Sequence, residues 1–199
     1  MPALPGTPAP GFGDPVHDAQ ACFRAVLDAM ARPGRIVDLD LELAPPSPLQ
    51  PASAAMLLSL ADFDTPLWLE PGAGAEALTG FLRFHCGCPL TANPGEAAFA
   101  LVTDPLAMPP LEEFAQGSDD YPDRSTTLIV QVDRLASDTG WTLRGPGIAE
   151  SAQLSAAPLA ADLVTQLQTN HRRYPRGVDL VLTAHRRLAA LPRSTRIGD

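Results

Sequence analysis

His85-Cys86-Gly87-Cys88 brings three soft ligands together within four residues. Such a cluster suits zinc or another thiophilic metal, but a structural zinc site usually takes about four ligands, and only Cys22 remains as a distant sulfur. A Cys-X-Cys redox pair is a second reading, and small buried hydrophobes a third. Asp62 and Asp64 flank Phe63 where a helical pattern gives way to a strand. Paired carboxylates there suit Mg²⁺ or general acid–base work, or a polar turn in which they bond nearby backbone amides. Asp38, Asp40 and Glu42 share one strand face, as a hard-cation site or a solvated edge. Pro192-Arg193-Ser194-Thr195-Arg196 either presents two arginines to phosphate oxygens or frays as a tail. Asp62, Asp64 and His85, with Arg83 and Arg193 as phosphate contacts, are the best residues for a free-standing phosphate- or nucleotide-binding enzyme.

The exclusions are sharper. All 14 cations are arginine and the chain has no lysine. A Schiff base, a pyridoxal phosphate anchor and a P-loop lysine are therefore impossible, and no cofactor is expected. No nucleophile elbow, Walker motif or Gly-X-Gly-X-X-Gly is present. A net charge of −9 argues against nucleic acid and against an anionic membrane surface. Three cysteines do not make a disulfide framework, so a reducing cytoplasm is the simplest home.

The elements that must hold these groups follow from periodicity. At 199 residues with 45% hydrophobic content, a single domain over residues 14–196 is expected, after a flexible Pro/Gly-rich arm at 1–13 that lacks the pattern of a secretory signal. Asp14-Pro15 caps a helix that ends at Arg32-Pro33-Gly34. Further helices are predicted at 52–61, 75–85 and 158–171, and strands at 37–43, 67–69, 98–102, 127–132, 178–183 and 188–191. Trp141 and Leu143 form a half-buried strand predicted to pair with 127–132 as a hairpin. Gly145-Pro146-Gly147 then forces a sharp bend. Trp68, Phe114 and Trp141 are candidate interface anchors, since buried aromatics dominate interface energetics. Helices alternating with strands early and paired strands late predict a three-layer α/β/α sandwich around a mixed sheet of about six or seven strands.

Six segments carry a family resemblance: FRAVLDAMARPG, LLSLADFDTPLWL, LRFH, GPGIAE, YPRGVDLVLT and LPRSTR. In this order and spacing the chain resembles the PhnH subunits of the bacterial carbon–phosphorus lyase system. The resemblance implies a fold like the large domain of pyridoxal-phosphate-dependent transferases, without the cofactor. It implies a core complex with PhnG, PhnI and PhnJ subunits, and a homodimer when isolated. It also implies a supporting part in forming ribose 1-phosphonate 5-triphosphate from ATP and a phosphonate, with catalytic residues on other subunits. No catalytic residue is carried over by the resemblance, and the two cysteines at 86 and 88 lie outside its pattern.

Overall fold

The computed structural model describes residues 8–73 and 76–198. The first seven elements are α1 (Pro15–Ala31), β1 (Val37–Asp38), α2 (Pro51–Leu60), β2 (Leu67–Leu69), α3 (Glu76–His85), β3 (Leu90–Thr91) and β4 (Phe99–Val102). Then come β5 (Thr127–Gln131), β6 (Arg134–Arg144), β7 (Ala152–Ala157), α4 (Leu163–Arg172), β8 (Asp179–Ala184), β9 (Arg187–Leu191) and β10 (Arg196–Gly198). The main sheet has seven strands in the order β1-β9-β8-β5-β4-β2-β3. From β3 to β8 the pairings are parallel, and β8–β9 and β9–β1 are antiparallel.

Period-two alternation divides the core. Leu101, Ile129 and Val181 face one way, against Cys22, Ala29, Met56, Leu57, Phe81 and Leu82 of the first three helices. Ala100, Val102, Leu128, Val130, Leu180 and Leu182 face the other way, against Phe114, Leu143, Leu154, Leu163 and Leu167. Central strands buried on both faces must be apolar at every position, hence the run Leu128-Ile129-Val130. α2 is buried on nearly all sides from Ala52 to Leu57, and its fully buried hydroxyl, Ser53, bonds Thr183 at 2.8 Å. In α1, Asp14 accepts from the Val16 and His17 amides. Those bonds and the His17 ring hold the Asp14 carboxyl below its usual range, the backbone bond of His17 contributing most.

Three expectations need correction. The second outer layer is not purely helical, because after β5 the chain supplies only α4. A three-stranded antiparallel sheet, β10-β6-β7, shares that face with α4. The predicted hairpin does not form either. Both edges of β5 are taken by β4 and β8, so β6 leaves the main sheet and pairs with β7 and β10. Finally, only Val37–Asp38 of the predicted strand 37–43 is laddered, because its neighbour β9 begins at Arg187. The alternation persists without a ladder, with Leu39, Leu41 and Leu43 buried and Asp38, Asp40 and Glu42 exposed.

Candidate functional site

Three of the six resemblance segments converge at the junction of α4, β6 and β10. The end of β6 supplies Arg144, and the bend after it supplies Gly145 and Pro146. The end of α4 and the link to β8 supply His171 and Tyr174, and the approach to β10 supplies Ser194 and Arg196. Together they line a hollow of about 300 Å³ that contains no carboxylate. The bend is fixed by close packing. Gly147 has φ +82, and a Cβ there would run into the Ala31 carbonyl at the end of α1. Only glycine fits that position.

Arg193 is adjacent but serves a different purpose. Its Nε and Nη2 donate to Asp179 at 3.1 and 2.6 Å, and Nη1 donates to the Pro122 carbonyl at 2.7 Å. It also donates to Ser125 Oγ. The two side chains of the ion pair are 13% and 15% exposed. This guanidinium ties the loop before β5 to β8, and its donors are spent within the protein. Its neighbour Arg196 is exposed. Arg196 Nε donates to His171 Nε2 at 3.2 Å. His171 Nδ1 in turn lies 3.2 Å from the Arg193 carbonyl, which can only accept, so the ring proton sits on Nδ1.

The residues singled out from sequence are not joined into one site. Asp62 and Asp64 are exposed in the α2–β2 turn. There the Asp64 amide donates to Asp62 Oδ1 at 3.0 Å and the Asp62 amide to Thr65 Oγ1 at 2.6 Å, a self-satisfied polar turn. His85 ends α3, donates from Nε2 to the Ala9 carbonyl at 2.9 Å, and rests on the Phe81 and Phe84 rings. It anchors the incoming chain. Arg83 is exposed on α3. Asp62 and Asp64 bond only within their own turn, and among the described residues no hydrogen bond or ion pair links that turn, His85, Arg83 and Arg193 to one another. Trp68 and Phe114 are 5% and 2% exposed. Their rings meet edge to face at 5.4 Å, so both spend their area in the core and offer none to a partner. Trp141 is half-buried on β6.

The Cys86 thiol donates to the Leu57 carbonyl at 3.6 Å. Its interaction with the neighbouring Cys88 thiol pushes Cys86 up, with burial adding to it, and draws Cys88 down. Among the described residues, no group of three or more His, Cys, Asp or Glu side chains is placed to hold a metal. Arg144, His171, Tyr174, Ser194 and Arg196 were not singled out as a group from sequence. Tyr174, Ser194 and Arg196 fall in the resemblance segments while Arg144 and His171 lie just outside them, and joining the five requires the β6–β10 pairing, where a strand as short as β10 leaves little trace in a sequence.

Comparisons with known proteins place the whole chain. A model of the family described as bacterial phosphonate metabolism protein (PhnH) matches residues 10–198. The alpha-D-ribose 1-methylphosphonate 5-triphosphate synthase subunit PhnH of Rhizobium meliloti (strain 1021) is 40% identical over 186 residues, covering 94% of this chain and 93% of the relative. A putative C-P lyase subunit protein, HtxG, of Stutzerimonas stutzeri is 26% identical over 180 residues, covering 90% and 85%. Matched along nearly its whole length, the chain belongs to the PhnH family of bacterial phosphonate metabolism proteins.

Proposed function

We propose that this protein is a subunit of an assembly that forms alpha-D-ribose 1-methylphosphonate 5-triphosphate during bacterial phosphonate breakdown. The observation that carries the reading is the end-to-end correspondence with the Rhizobium meliloti subunit, 40% identical over 94% of the chain. Its role is structural or accessory, and the bond-making residues belong to partner subunits of the PhnG, PhnI and PhnJ kinds. In support, the acidic and imidazole groups that looked catalytic in the sequence are engaged in a turn and an anchor. The fold is that of a pyridoxal-phosphate transferase large domain that has no use for the cofactor. The parallel run from β3 to β8 supports this, as does a chain without lysine. The place of action is the cytoplasm, and among the described residues no helix is long and apolar enough to cross a membrane. In isolation the chain forms a homodimer; Val16, Phe23 and Leu27, exposed along one stripe of α1, are apolar surface that a partner would cover.

The test is replacement. A phosphonate-degrading bacterium lacking its own PhnH-family gene should regain growth on methylphosphonate when given this chain, and tagged protein should retain PhnG- and PhnI-type subunits at physiological salt. Asp62→Ala and His85→Ala should leave both outcomes unchanged. Folded protein that neither restores growth nor captures a partner would overturn the assignment.

A further inference from the structure

Arg144 and Arg196 stand directly opposite one another in the antiparallel β6–β10 pair. Side chains in that relation rise from the same face with Cβ atoms about 5 Å apart, and like charges there weaken the sheet. The chain has 23 acidic residues with which to relieve such a pair. It relieves its neighbours: Arg173, Arg176 and Arg193 are matched to Glu112, Asp119 and Asp179. Among the described residues, Arg144 and Arg196 form no ion pair, and the hollow they share has no acidic lining. Two adjacent positive charges are left facing solvent in a protein whose net charge is −9.

The surroundings hold this pair in place. His171 takes Arg196 Nε at 3.2 Å. Among the described residues, no oxygen takes the two terminal amino groups of Arg196. Arg144 has one long bond, 3.5 Å, to the Glu150 carbonyl. Tyr174 and Ser194 add hydroxyl-bearing residues to the lining, and Gly145-Pro146 keeps one side free of bulk.

The geometry points to a receptor for a compact oxyanion of phosphorus, a phosphate or phosphonate group, gripped between the Arg144 and Arg196 guanidinium groups. Planar guanidinium forks match tetrahedral oxyanions with paired hydrogen bonds, as an ammonium does not. A hollow of about 300 Å³ takes the anionic group and a small substituent. The choice of phosphorus rests on the functional reading above; the demand for a compact anion rests on the charge pair alone.

Calorimetric titration of the full chain at fixed ionic strength, with inorganic phosphate, methylphosphonate and inorganic triphosphate as probes, tests this. Saturable binding of at least one probe is expected, weakened about 10-fold or more in R196Q and abolished in R144Q/R196Q. R83Q, at an exposed arginine of α3, should bind as the wild type does. Triphosphate binding well above phosphate would identify a polyphosphate tail as the source, and equal binding of methylphosphonate and phosphate would identify a single head group. If the double variant does not fold, phosphate protection of Arg196 against phenylglyoxal in the wild type gives the same answer. Absence of saturable binding to all three probes, undiminished binding in the variants, or no protection would overturn the proposal. Loss of partner capture in R144Q/R196Q with no anion binding by the wild type would also overturn it, in favour of an acidic partner surface. Failed replacement by a chain that still binds phosphate would sink the functional reading and leave this site standing.

Discussion

Two arginines three residues apart illustrate how burial decides the use of a side chain. Arg193 and Asp179 are a mostly buried, doubly bonded pair, and removing one partner strands the other without water. Breaking such a pair costs about 3–5 kcal/mol. Arg193→Gln should therefore lower the unfolding free energy by roughly that amount, read from the midpoint of urea unfolding at unchanged slope; a loss below about 1 kcal/mol, the range of exposed pairs, would contradict the clamp. The cysteines give a second prediction at this scale. Interaction with the Cys86 thiol favours the Cys88 thiolate, so Cys88 should titrate below the ordinary thiol range and Cys86 above it. In the thiolate absorbance near 240 nm, the wild type should show an early step that moves to higher pH in C86A. An early step unchanged in C86A would remove the pairing as its cause.

At the scale of elements, the bend at Gly145-Pro146-Gly147 joins α1, β6 and β10. Gly34 at the end of α1 lies against Leu143 and Ala152, and Gly147 against the Ala31 carbonyl, so the ends of α1 and β6 fix one another. Gly147→Ala adds a methyl group to a φ +82 position with no room for it. A loss of about 2 kcal/mol or more is expected, with Tm reporting it, from strain and clash together; an unchanged Tm would show that the bend can relax away from α1. Helices α1 to α3 and strands β2, β4, β5, β8 and β9 were legible because each carries its own period or a dense apolar run. Their ends moved by a few residues, and α4 begins at Leu163 rather than at 158, since 158–162 lack an intrahelical pattern. What escaped was pairing. A short apolar run declares burial but not its neighbours, so β6 was assigned to β5. The cationic hollow escaped with it, because its two arginines lie 52 residues apart (196 − 144) and meet only across β6–β10. Arg193 was visible as a cation near the end of the chain, yet nothing in its neighbours foretold Asp179 as its partner.

For the molecule as a whole, the question is whether the average field or the local pair governs the cationic hollow. With a net charge of −9, the average field favours every arginine, and removing one takes the chain to −10. Local repulsion between Arg144 and Arg196, whose Cβ atoms stand about 5 Å apart, acts in the opposite sense. It lies inside the Debye length, which is about 8 Å at 0.15 M salt, while most of the acidic surface lies beyond it. The local term should win. Arg196→Gln is therefore expected to raise Tm slightly at 20 mM salt, and the gain should vanish by 1 M, where screening reaches in to about 3 Å. Arg193→Gln should lower Tm at every salt concentration, because its partner is shielded from solvent ions. Phosphate at matched ionic strength should stabilise the wild type and not R196Q, since a ligand that binds only the folded state raises its stability. A fall in Tm for R196Q at low salt would mean that the average field dominates, and that the opposed arginines are no burden for an anion to relieve.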